Sequence, residues 1–168
     1  MKMKIAALAL IVLLPVLAVT ATYATKPTIG HGTVTLFSST PVGTLRTAGG
    51  NNITMHKSIF LLTGALTGRA VALERDVTHT LGDTSFTTFQ GEANFTSSNE
   101  AQSGTLVIHY VGIAKGTSVD GQFVAGSGTG NLAGFHGQGS FSGPAGRALD
   151  YTLKWHIDPT SPKTKTTA

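Results

Sequence analysis

From Arg147 to Asp158 every second residue is apolar: Leu149, Tyr151, Leu153, Trp155 and Ile157 alternate with Asp150, Thr152, Lys154, His156 and Asp158. Successive side chains of an extended chain point to opposite faces, so this segment is a strand with one face buried and the other wet. A helix would scatter the same apolar residues around its circumference. The pattern therefore demands a sheet with a covered inner face, and the rest of the chain has to supply the other strands.

It does so repeatedly. Thr28 to Ser39 sets Val34 and Leu36 against Thr33, Thr35 and Phe37. Thr44 to Asn52, with Gly49-Gly50-Asn51-Asn52, reads as a loop. Ile53 to Leu62 and Leu66 to Val77 are apolar, β-branched runs broken at Gly64, expected as neighbouring antiparallel strands. In the second run Ala70, Ala72, Glu74 and Asp76 share a face opposite Val71, Leu73, Arg75 and Val77. Alanines mixed with acids suit the wall of a small cavity better than an ordinary solvent face. Thr84 to Thr96 places Phe89, Gly91, Ala93 and Phe95 opposite Gln90, Glu92 and Asn94. Gln102 to Ala114 is largely apolar on both sides, which predicts a strand covered on both faces or sitting in a contact between copies, so a homo-oligomer is one expectation.

Between the last strands lies Gly126 to Phe141, GSGTGNLAGFHGQGSF. Gly126, Gly128 and Gly130 at alternate positions would strip one face of an extended strand of side chains, and Asn131 to Gly134 fits a tight connection. The stretch lacks the Lys-Ser/Thr ending and the following helix of a phosphate loop, so it reads as a bend and a turn.

With 21 glycines in 168 residues and a charged fraction of 12%, about half the usual ~25%, the chain is all-β and holds about eight strands in one domain over residues 28–158. A meander of that size stacks as a sandwich or closes as a barrel. Closure removes the edge strands, and the spaced glycines supply the bends it needs, so an eight-stranded antiparallel closed barrel is expected.

The first residues carry a different signal. Met1-Lys2-Met3-Lys4, then apolar Ile5 to Val19, then the small-residue sites Val19-Thr20-Ala21 and Thr22-Tyr23-Ala24, predict a secretory signal over residues 1–24. The apolar run contains Pro15 and is shorter than the ~20 residues of a spanning helix. Export to the medium, periplasm or cell envelope follows, with no membrane association after cleavage. The chain has no cysteine, so neither a disulfide nor a lipidated cysteine enters and the core must hold the fold alone. Residues 159–168 read as a disordered tail. Four of the 12 basic residues, Lys2, Lys4, Lys163 and Lys165, fall in these two ends, leaving eight against 8 acidic ones. A domain so balanced lacks the basic stripe that nucleic acid requires.

Three stretches resemble a known family. Val124 to Phe141 is similar to the signature G-S-G-T-G-x-L-x-G-L-x-G-x-G-x-F of the domain-of-unknown-function family 3224. Gly64-Ala65-Leu66-Thr67-Gly68, with Glu74 six residues on, resembles that family's G-x-L-x-G-x(5)-E stretch, and Gly104 to Gly112 its G-S-F-x-x-x-H-x-G segment. Where the family pattern carries histidine this chain has Tyr110, with His109 one position earlier on the opposite face. The likeness runs from about Gly30 to Ile157. It implies an eight-stranded barrel similar to the allene oxide cyclase and dirigent barrels, in a family without an assigned reaction.

Six histidines, at 31, 56, 79, 109, 136 and 156, lack the close spacing of a metal motif, and no metal or cofactor is expected. Ser127 and Ser140 lack a nucleophile elbow. The expected site lies on the inward faces: Glu74, with Ala70, Ala72 and Tyr110 as ligand contacts. Two functions fit. One is the binding of a small, mostly apolar molecule or an interaction role. The other, which the resemblance implies, is a cyclase or isomerase with Glu74 as acid and Tyr110 as its partner. A structural alternative for Glu74 is pairing with Arg69, Arg75 or a tyrosine hydroxyl.

Overall fold

The structure, a computed structural model, describes residues 26–43 and 46–158. The expected signal at 1–24 and the tail at 159–168 lie outside the described residues. Nine strands follow in order: β1 (Thr28–Pro41), β2 (Arg46–Ala48), β3 (Asn51–Gly64), β4 (Gly68–Leu81), β5 (Thr84–Ser97), β6 (Thr105–Lys115), β7 (Ser118–Gly126), β8 (Phe135–Pro144) and β9 (Leu149–Ile157). From β3 to β9 each strand pairs antiparallel with the next, and β1 pairs with both β9 and β3. The result is a closed eight-stranded barrel with β2 as an extra short strand on β3. The all-β closed barrel expected from period-two patterning is the observed fold.

Three local expectations need correction. Within the supposed loop 44–52, Arg46–Ala48 pairs with Asn51–Ile53 across a Gly49-Gly50 turn whose φ values of 59° and 81° suit a two-residue hairpin. The supposed strand through Gly130 stops at Gly126. Ser127 takes a left-handed φ of 52°, and a short 3-10 turn over Gly130–Leu132 tucks Leu132 into the core at 2% exposure. Burying that one large side chain outweighs the alternation on which a longer strand would rest. The β6 strand turns Leu106, Ile108 and Tyr110 inward and leaves Val111 and Ile113 exposed outside, so it is not covered on both faces within the chain.

The interior has a repeating construction. Facing one another across neighbouring strands are Gly112 and Phe89, Gly91 and Tyr110, Gly121 and Phe141, Gly139 and Phe123, and Gly32 and Tyr151. In each pair the ring lies where the glycine's side chain would stand: a Cβ on Gly121 would come 2.1 Å from the Phe141 ring, and one on Gly112 2.3 Å from that of Phe89. Large rings thus fit inside a small barrel because each has an empty partner position.

One end of the barrel is stoppered. Leu66 from the β3–β4 turn and Leu132 from the β7–β8 connection pack with Phe95, Leu106, Phe135 and Leu153 into the most buried part of the core. The Tyr151 hydroxyl ties the first of these loops down, accepting from the Leu66 N–H at 2.8 Å and lying 2.9 Å from the Thr63 carbonyl and 3.2 Å from that of Leu66. At the other end the turns at Gly82, Gly116 and Gly146 stand clear of neighbouring atoms. The barrel is a cup.

Candidate functional site

Strand β4 enters the cup from the stoppered end, turning Ala70, Ala72, Glu74 and Asp76 inward in succession. Arg69 and Arg75 point outward by the same alternation and are exposed, so neither pairs with Glu74. Opposite Glu74 across β3 stands His56, and across β5 stands Gly91, which faces Tyr110 on β6. With no side chain at Gly91 to obstruct it, the Tyr110 phenol reaches across and donates to Glu74 Oε2 at 2.8 Å. The sequence-expected pair, two strands apart, is brought together. Ala70 lines the cavity, whereas Ala72, 2% exposed, is packed between Ser58 and Ala93 in the wall.

A short polar chain continues from Glu74 toward the rim. Fully buried Ser58 places its hydroxyl 3.4 Å from Glu74 Oε1 and 3.2 Å from Ser39 Oγ. Ser39 Oγ meets His56 Nδ1 at 3.1 Å, and His56 Nε2 lies 3.6 Å from Asp76 Oδ2. Asp76 Oδ1 is buried with no hydrogen-bond partner among the described residues.

Burial holds the Glu74 carboxyl above its usual range. The Tyr110 hydrogen bond acts against this, and the nearby Asp76 charge adds to it. Asp76 is also raised by burial, with His56 opposing. The Tyr110 hydroxyl is pushed far up by burial and by Glu74, so it acts here as a fixed donor. In front of these groups is a cavity of about 480 Å³ whose walls include Phe60, Phe89, Ile108, Phe123 and Phe141, with Arg147 at its mouth. That volume falls within the ~300–1,000 Å³ typical of small-molecule sites.

The other histidines remain outside the cup. His109 sits 3.7 Å from Glu92, both exposed. His136 and His156 stack on the outer face and each approaches Asp158, so His156 has partners where the sequence suggested simple solvation. Among the described residues no group of three or more histidine and acidic side chains could hold a metal ion.

The strands that build this cup lie within a span, residues 29–155, that matches the family described as a protein of unknown function, DUF3224. The chain belongs to the DUF3224 family. A crystal structure of a DUF3224 family protein of unknown function from Shewanella oneidensis MR-1 has the same fold, with a TM-score of 0.66 at 18% identity, covering 80% of this chain and 100% of that one. No curated protein matches the chain.

In this DUF3224 barrel the sequence reading missed Ser39, His56 and Ser58. The last two were legible, since the parity that points Phe60 and Leu62 inward also points Ser58 and His56 inward. Ser39 was not. A register shift between Leu36 and Ser38 in β1 reverses the parity of the strand's end and brings Ser39 opposite Ser58.

Proposed function

We propose that this protein is a small-molecule-binding barrel that holds a mostly apolar ligand in its cup. The observation that carries this reading is the cavity of about 480 Å³, apolar along most of its wall and furnished at one side with the Glu74–Tyr110 pair. Apolar walls with a few convergent polar groups are the general form of ligand sites. The neutral probe N-phenyl-1-naphthylamine is expected to bind saturably at one site per chain, with enhanced fluorescence. A ligand at a hundred times its Kd stabilises the folded state by about 2.7 kcal/mol, so the melting temperature should rise by several degrees. Val119→Trp, which fills the cavity from one of its lining positions, is expected to abolish both effects. Binding that persists unchanged in that variant would place the probe elsewhere and remove the proposal.

The environment of Glu74 favours a second reading. A carboxyl that burial holds above its usual range, fixed by Tyr110 at the side of a shaped apolar cavity, is placed to exchange a proton with a substrate held there, as a cyclase or isomerase needs. For any compound the protein turns over, Glu74→Gln is expected to lower kcat at least a hundredfold while near-UV circular dichroism stays native. Surviving turnover would remove Glu74 from that role.

A further inference from the structure

The polar side of the cup is out of balance. Two carboxyls, Glu74 and Asp76, face inward as neighbours on β4, opposite His56 and Thr54 of β3. The donors in reach are few: Tyr110 at 2.8 Å and Ser58 at 3.4 Å serve Glu74, while His56 Nε2 stands 3.6 Å from Asp76 Oδ2. Asp76 Oδ1, buried, accepts no hydrogen bond from any described residue. The remaining walls offer little help. β5 brings Thr87 and Phe89, β7 Phe123 and β8 Phe141, and the Tyr151 hydroxyl of β9 is engaged with Leu66 and Thr63. Among the described residues Arg147, exposed at the rim, is the only lysine or arginine lining the cavity. Acceptors and latent negative charge are in surplus, and carboxylates out of water are costly until a cation with hydrogen-bond donors meets them.

We propose that the occupant of the cup is an amphipathic amine, its ammonium seated between Glu74 and Asp76 and its hydrocarbon body lying along Phe60, Phe89 and Phe141. This rests on the ligand-binding reading above and narrows it to a chemical class. An ammonium brings three donors, enough for Asp76 Oδ1 and for the free lone pairs of Glu74, in charge-assisted bonds about twice as strong as neutral ones. The aromatic rings beside the carboxyls add favourable faces for a cation. A fatty acid presents the opposite charge to this wall, and an alcohol presents a single donor without charge.

Calorimetric titration of the purified protein at pH 7.5 with decylamine, decanol and decanoate, which share a chain and differ in head group, tests the assignment. Decylamine is expected to bind at least tenfold more tightly than either of the others. The near-isosteric double variant Glu74→Gln/Asp76→Asn is expected to bring the amine down to the affinity of the alcohol. Equal affinity for amine and alcohol, or tighter binding of decanoate with its head group at Arg147, overturns the head-group assignment and leaves the ligand-binding cup standing. Binding of none of the three, with no response to N-phenyl-1-naphthylamine either, overturns both. Should the double variant fail to fold, the ranking of the three compounds on the native protein still decides.

Discussion

Tyr151→Phe is expected to lower the unfolding free energy by about 2–4 kcal/mol, because it strips partners from buried groups that each cost about 1–3 kcal/mol when left unpaired. The hydroxyl accepts from the Leu66 N–H and has one proton to give to the Thr63 carbonyl at 2.9 Å or to share with that of Leu66 at 3.2 Å, all at the β3–β4 turn that stoppers the cup. The ring is retained, so packing against Phe123 and over Gly32 is undisturbed. Urea denaturation of the two proteins checks the figure. A loss below about 1 kcal/mol, on the scale of a typical net hydrogen bond, would mean that the turn is held by the burial of Leu66 alone.

The second large effect is expected at Gly91. A Cβ there would stand 2.5 Å from the Tyr110 hydroxyl, 2.6 Å from its ring and 2.9 Å from the Leu73 carbonyl. Gly91→Ala should therefore cost about 1–3 kcal/mol, the usual range for overfilling a packed interior, and should push the phenol off Glu74. Tyr110→Ala removes the obstructing ring, so the glycine substitution should cost less in that background, with a coupling of about 0.5–3 kcal/mol between the two sites. Additive effects in the double-mutant cycle would show that the ring does not occupy the glycine's place.

These two sites also show why the fold was more legible than the site. β4 over residues 69–76, β5 over 90–96 and β9 over 149–154 alternate in burial, and alternation states directly which residues share a face. Glu74 could be singled out because it shares its face with Ala70 and Ala72 and because it falls at the glutamate of the G-x-L-x-G-x(5)-E stretch. Its cross-strand neighbours depend on register, which the composition of one strand does not carry, and the most consequential contact passes over Gly91, a residue with nothing to show. Ser39 enters through a register shift that breaks the alternation rule itself. The glycine-rich signature misled for a related reason. Spacing treats its glycines as equivalent, whereas Gly126 ends a strand, Gly128 and Gly130 lie in the β7–β8 connection, and Gly137 and Gly139 make room for rings inside the barrel.

The seam that closes the barrel has a consequence for how the molecule is made. From β3 to β9 every pairing joins neighbours along the chain, so each hairpin can form as its second strand appears. β1 instead pairs Thr28–Val34 with Leu149–Trp155, residues from opposite ends of the domain. Until β9 docks, β1 has β3 alone, and the sheet is an open ribbon with its aromatic lining in water. Closure of so long a loop is entropically slow compared with the local hairpins. The ring closes only when β1 and β9 meet, and a chain shortened by either terminal strand keeps the hairpins among the strands that remain yet has no vessel.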